Sequence, residues 1–202
     1  GYFFPEWEFN HMCKNGIPTL PNCKELPAID YNGEPHFEYR DLTFSQVDNI
    51  NLLGYFQTEK YFDHCRQRIL DMFELNSIYT NKIHTLNIDF KNCVSVHVRR
   101  GDYVNLPNHH PVLPLEYYQT CMSKFMFNYT FLLFTDDIEW CLKNPLFNNS
   151  HVIPIHTGND FLDLHIMSLC KYNIIANSSY SWWGAWLNTN NEKRVYAPAH
   201  NW

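Results

Sequence analysis

Two neighbouring arginines, Arg99 and Arg100, follow the alternating valines Val94, Val96 and Val98 and lead into Gly101, Asp102 and Tyr103. A guanidinium offers its N–H donors as a planar fork, which suits bidentate contact with the oxygens of a diphosphate. If the valines form a strand, alternation puts His97 and Arg99 on one face, Val98 and Arg100 on the other. A blander role for an arginine here is to pair with Asp102 and close the turn. That role is assigned to Arg100, which leaves Arg99 for an anion. A second cluster runs from Asn177 through Ser178, Ser179, Tyr180 and Ser181 to Trp182 and Trp183. Hydroxyls and free N–H groups where a strand enters a helix suit phosphate oxygens. An ordinary serine N-cap is the competing account. Trp182, Trp183 and Trp186 recur at helical spacing and read as packing.

Asp163 falls in the first turn of an expected helix, where the dipole favours a carboxylate. Such a group can accept the paired N–H donors of a guanine edge, although surface helices often carry Asp there. Asp136 and Asp137 admit two readings, ligands for a divalent cation or caps of a short helix. His109 and His110 lack the i, i+4 spacing of metal ligands, and His110 reads as a loop residue or a base near an acceptor.

Elements of two kinds must hold these residues. Residues 1–55 contain Pro5, Pro18, Pro21, Pro27 and Pro35 and little periodicity, which reads as loops with short strands. Over 58–75 the apolar positions recur at helical spacing, and an Asn-dotted segment follows. From about residue 90 the pattern alternates: a strand at 94–98, a helix at 114–126, a strand at 129–135, and a short helix to 143. After these come a strand at 152–155, a helix at 160–171, a strand at 173–176, a helix at 181–188 and a strand at 194–197. Strand and helix in alternation specify an α/β fold with a doubly wound parallel sheet. Ligands of such sheets bind beyond the carboxyl ends of the strands, where the residues named above fall. The expected division is 1–89 and 90–202.

Composition excludes other classes. Of 202 residues, 45% are hydrophobic and 17% aromatic, which is incompatible with a disordered chain. Fifteen basic against 21 acidic residues give a net charge of -6, which argues against a nucleic-acid partner. No stretch approaches the roughly 18 apolar residues of a membrane span. Seven cysteines, with no CxxC pair, do not read as a disulfide framework or a zinc site.

Together HVRRGDY (97–103), LDLH (162–165) and IIANSSYSWW (174–183) resemble the alpha-1,2-fucosyltransferase family, glycosyltransferase family 11. YFFPEWEF (2–9) is also similar to it. The resemblance is strong over about 90–200 and loose over the first 60 residues. Related alpha-1,6- and protein O-fucosyltransferases share an HxRR element and an Asp 16 residues before a serine, the separation of Asp163 and Ser179 here. The resemblance implies a GT-B-like fold with a Rossmann-like C-terminal half and an incomplete N-terminal half. It implies GDP-beta-L-fucose as donor, a galactose-containing glycan as acceptor, inversion at the anomeric carbon, and no metal or cofactor. By it His97 and Asp163 would bind guanine, Arg99 would clamp the beta-phosphate, and Ser178 and Ser179 would hold phosphate oxygens.

One displacement with inversion also needs a base for the acceptor hydroxyl. The alpha-1,6 relatives carry a glutamate after HxRR, whereas NLPNHH (105–110) has no acid. Asp102, His109 and His110 are the nearest candidates. The family's GGLGNQ opening is not in this chain, and Gly1 is expected to begin just after it. A non-catalytic GDP-sugar- or glycan-binding module derived from such an enzyme is the alternative. A glycan on the Asn177 sequon would block the proposed phosphate loop. With the odd cysteine count, this favours a cytoplasmic bacterial or viral enzyme. The other location is the Golgi lumen, if an N-terminal anchor has been lost.

Overall fold

The computed structural model describes residues 10–15, 29–32, 39–42, 50–108, 110–125 and 128–199. His109, Cys23 and the segment 2–9 lie outside the described residues. The chain divides into two compact units, Gly1–Asn81 and Lys82–Trp202.

In the first unit β1 (Ile29–Asn32) pairs in parallel with β2 (Ile50–Leu53). The helix expected over 58–75 is shorter. Two 3-10 turns, Glu59–Tyr61 and Asp63–Cys65, precede α1 (Arg66–Phe73), because Phe62 takes a non-helical φ/ψ of -139°/8° between them. The Asn-dotted segment holds a further helix, α2 (Ser77–His84). Asn76 caps it, its side-chain oxygen accepting from the N–H groups of Ile78 (3.1 Å) and Tyr79 (3.4 Å). Only Ile83 of α2 is buried, which explains why hydrophobic periodicity gave no sign of it.

The second unit is built on β3 (Cys93–Val98), β4 (Thr130–Thr135), β5 (Val152–Pro154), β6 (Tyr172–Ile174) and β7 (Val195–Tyr196). They form one sheet in the order β5-β4-β3-β6-β7, every neighbouring pair parallel. Between them run α3 (Leu115–Met122), α4 (Ile138–Leu142), α5 (Asp160–Leu169) and α6 (Ser179–Leu187). The parallel α/β arrangement is the one the alternating pattern calls for. β3 is buried along its whole length, as a central parallel strand covered on both faces should be. Val94, Val96, Val98, Leu133 and Ile174 pack with Tyr118 and Phe147 in the main core. Each such aliphatic side chain contributes about 1.5–3 kcal/mol.

Two features position the site. The chain runs outward from β3 to β4 and β5, then α5 carries it back to β6 on the other side of β3. The strand order therefore reverses between β3 and β6, where such sheets open a ligand crevice. The spacing of those strands is fixed by buried amides. Ser95 and Asn173 are register partners, and the Asn173 side-chain amide donates to Ser95 Oγ at 2.7 Å. The Asn188 amide, just past α6, donates to Asn173 Oδ1 at 2.8 Å and to the Cys170 carbonyl at 2.7 Å. Leaving one of these groups unpaired would cost about 1–3 kcal/mol.

Candidate active site

The register of β3 on β4 ends at Val98 opposite Thr135, so the next pair is Arg99 with Asp136. Arg99 Nη1 meets Asp136 Oδ2 at 2.7 Å, and Nη2 meets Asp102 Oδ1 at 2.5 Å. The guanidinium also lies over the Tyr103 ring, 5.3 Å from its centroid. Asp136 Oδ1 accepts the Arg100 backbone N–H at 2.9 Å. A Cβ on Gly101 would run into the Asp136 carboxylate, so the turn needs glycine for this close approach.

Arg100 does not pair with Asp102, contrary to the sequence expectation. Its Nε meets Asp137 Oδ2 at 3.0 Å, and its guanidinium stacks 3.9 Å from the Trp140 ring centroid. It is Arg99 that takes Asp102. Asp137 caps α4, accepting the Trp140 N–H at 3.1 Å. The Arg100 hydrogen bond holds the Asp137 carboxyl below the usual carboxylate range. Both acids of the Asp136–Asp137 pair are thus bound to arginines. Among the described residues no group of three or more His, Cys, Asp or Glu is placed to hold a metal ion.

Beyond β6 the backbone of Ser178 is extended at the N-cap position of α6, but its side chain makes no capping bond. Ser181 bonds there instead, its Oγ accepting the Ala176 N–H at 3.2 Å. The helix starts at Ser179, two residues earlier than its pattern indicates. Ser178 is half-buried and Ser179 exposed. Two hydrogen bonds lace this turn to the loop after β3. Tyr103 Oη donates to the Asn177 carbonyl at 3.0 Å, and the Asn177 amide donates to the Pro111 carbonyl at 2.9 Å.

His97 is 5% exposed, and among the described residues neither its Nδ1 nor Asn177 Oδ1 has a hydrogen-bond partner. Burial pushes the His97 imidazole down to about 4, so it is neutral at pH 7. Its ring lies 5.4 Å from that of Tyr180, whose hydroxyl donates to the Asp160 carbonyl at 2.6 Å. Asp163 is buried on α5, behind the Asn159 cap. Its Oδ1 accepts from the Thr157 N–H (3.1 Å) and hydroxyl (2.7 Å). Oδ2 lies 4.0 Å from Nδ1 of the exposed His156. Asp163 and Asp160 both add to the upward shift that burial gives the Tyr180 phenol. His110 is exposed, its ring stacked on Tyr103 at 4.7 Å and 17°.

The structure therefore gathers Arg99, Asp102 and His110 around Tyr103, and Tyr103 joins them to the turn carrying Ser178 and Ser179. His97 reaches the same turn through Tyr180, and Asp163 acts on Tyr180 by its charge. Tyr103 and Tyr180 are the residues that sequence reasoning passed over, and Asp136 was read only as a cation ligand or a helix cap. The two tyrosines stand inside the quoted motifs, so their polar tips were the available signal. The role of Asp136 needed the strand register.

This arrangement defines a Rossmann-like α/β protein with a cationic fork, neutral hydroxyls and buried polar atoms near the point where the strand order of its sheet reverses. The chain belongs to glycosyl transferase family 11, which matches residues 25–202. It is 36% identical over 178 residues to the O-antigen biosynthesis glycosyltransferase WbnK of Escherichia coli, covering 80% of this chain and 59% of that one. Similarity to the Escherichia coli alpha-1,2-colitosyltransferase is 35% over 189 residues, 86% of this chain and 61% of that one. The galactoside alpha-(1,2)-fucosyltransferase 2 of Bos taurus is 26% identical over 154 residues, 68% and 45% of the two chains. The chain spans about 60% of the length of the first two relatives. Among solved structures, NodZ alpha-1,6-fucosyltransferase soaked with GDP-fucose matches with a TM-score of 0.43 at 16% identity, covering 60% of this chain and 47% of that one. Among the described residues no helix is long and apolar enough to cross a membrane.

Proposed function

We propose that the protein transfers L-fucose from GDP-beta-L-fucose to a hydroxyl of a galactose-containing glycan, forming an alpha-1,2 linkage. The observation that carries this reading is the Arg99 guanidinium at the end of β3, held by its neighbours and one-third exposed. In the reaction the acceptor oxygen bonds to the anomeric carbon as the bond from that carbon to the beta-phosphate oxygen breaks. The electron pair leaves with GDP, and configuration inverts. Arg99 and the hydroxyls and N–H groups at Ser178 and Ser179 meet the growing negative charge. The acceptor's proton goes to a base at the rim, for which Asp102 and His110 are the candidates. His97 and Asp163 hold the guanine, the neutral imidazole by hydrogen bonding and the carboxylate by the oxygen that Thr157 leaves open.

No metal enters this reading, because a fixed fork supplies the charge and the acid pair that could hold a cation is bound to arginines. The alpha-1,2 linkage is supported by the names of the relatives. A cytoplasmic location belongs to the same proposal, supported by the bacterial relatives.

The test is an assay with a beta-galactoside acceptor in the presence of a chelator, offering GDP-fucose and GDP-colitose as separate donors, with the linkage read by NMR. An alpha-1,2-fucosylated product is expected. Transfer from GDP-colitose alone would correct the donor sugar, and absence of transfer with retained GDP binding would favour a non-catalytic binding module.

A further inference from the structure

Arg99 meets two carboxylates, and they are not equivalent. Asp136 is fixed on three counts: it follows β4 in register with Arg99, it accepts the Arg100 backbone N–H at 2.9 Å, and Gly101 closes tightly over it. Its side chain is 26% exposed. Asp102 opens a short 3-10 turn (Asp102–Asn105) and its side chain is 57% exposed. Among the described residues its carboxylate makes no hydrogen bond except the one to Arg99.

Both outer nitrogens of the fork are therefore occupied, one by each acid. A guanidinium has five N–H donors, so a diphosphate need not displace both acids; one that takes Nη2 competes with Asp102 there, and the acid held by a single contact leaves at the lower cost. Resting on the donor reading above, we propose that Asp102 is an internal stand-in for the donor's phosphate on Arg99. Asp136 is the positioning residue that keeps the fork aimed while its other partner is exchanged. Before the donor arrives, Asp102 fills the Nη2 side of a guanidinium whose Nη1 side Asp136 already holds. Donor binding then swaps one anion for another at Nη2 and leaves the pair at Nη1 intact. The exchange releases the Asp102 carboxylate at the moment the donor is seated.

The consequence is a pair of opposite effects. Removing the competitor tightens nucleotide binding, and removing the positioner weakens it. An exposed ion pair is worth about 0.2–1 kcal/mol, so Asp102→Asn is expected to lower the Kd for GDP by about 1.4- to fivefold. Asp136→Asn is expected to raise it by about tenfold, the order of one charge-assisted hydrogen bond lost. The discriminating variant is the double substitution Arg99→Ala with Asp102→Asn, since the cycle isolates the part that runs through Arg99.

The experiment is calorimetric titration of GDP into the wild type, Asp102→Asn, Asp136→Asn, Arg99→Ala and the double variant, with a thermal melt confirming that each is folded. Binding rather than turnover is read, so a part played by Asp102 in proton transfer does not enter. The expected result is tighter binding in Asp102→Asn that vanishes when Arg99 is absent. Weaker or unchanged binding in Asp102→Asn overturns the exchange. A gain that persists undiminished in the Arg99→Ala background also overturns it, because simple repulsion between Asp102 and the nucleotide would then be the cause. A wild type that binds no GDP removes the donor reading itself, and the exchange with it.

Discussion

The end of β3 has two sides that differ in one respect above all. On the crevice side Arg99 stays one-third exposed, between two acids and over a tyrosine ring. On the α4 side Arg100 is only 16% exposed, packed 3.9 Å from the Trp140 ring centroid and bonded to Asp137. The residue types are identical and adjacent, yet in the proposed reading one guanidinium trades partners while the other is built into the fold. Exposure and the number of independent restraints on each partner, not the side chain's chemistry, separate a ligand clamp from a structural pin.

Arg99→Ala offers the largest way to break this comparison. Losing a donor aimed at developing negative charge costs about 10²–10³ in kcat, while Tm should stay nearly unchanged because the lost pairs are solvent-accessible. Arg99→Lys should also be poor, since a point charge lacks the forked geometry. Steady-state kinetics beside a melt would check both. Next in size, Ser178→Ala with Ser179→Ala should raise the KM for the donor by about tenfold, the order expected for hydrogen bonds to a charged group. No stability should be lost, because Ser178 does not cap α6 through its side chain. A large fall in Tm would instead give these serines a structural role.

Arg100→Ala sharpens the contrast from the other side. It should cost about 1–3 kcal/mol in denaturant unfolding, from the lost cation–π contact and ion pair, with GDP affinity close to that of the wild type. The smallest effect is in pH. Asp137 has a folded-state pKa below its unfolded one, so its stabilisation is complete above about pH 5 and is lost as pH falls through the carboxylate range. Unfolding free energies of wild type and Asp137→Asn should therefore differ near pH 7, and the difference should shrink as pH falls through the carboxylate range. Burial lowers His97 and His165 to about 4, so both proteins should also lose stability between about pH 6.5 and 4, where the unfolded chain takes up protons that the folded one refuses. A flat profile over that interval would contradict the burial of the two imidazoles.

What could be read from the sequence follows from the range of each interaction. Strands and helices of the second unit are local patterns, and alternation alone puts Arg99 and Arg100 on opposite faces. The motif residues were expected at the carboxyl ends of strands because that edge is set by chain direction. The partners of the arginines were not legible in the same way. Arg100 was matched with Asp102, two residues away, whereas its partner Asp137 lies 37 residues along the chain and reaches it only through β3–β4 pairing. The same register makes Asp136 a partner of Arg99, so an acid pair that looked like a metal site or a cap is a counter-charge and a cap. α2 escaped notice because it buries one residue, and its signal is the Asn76 cap rather than a stripe. Ser181 rather than Ser178 bonds at the head of α6 because the turn leaves the Ser181 hydroxyl beside the Ala176 N–H. That choice depends on backbone angles that spacing does not specify.

The most direct measurement of the central claim is a side-by-side calorimetric titration of GDP into Arg99→Ala and Arg100→Ala. The expected result is that the first, folded with a nearly unaltered Tm, binds GDP about tenfold to a hundredfold more weakly, while the second binds nearly as the wild type does despite its lower Tm. Retained affinity in Arg99→Ala, or loss confined to Arg100→Ala, would contradict it.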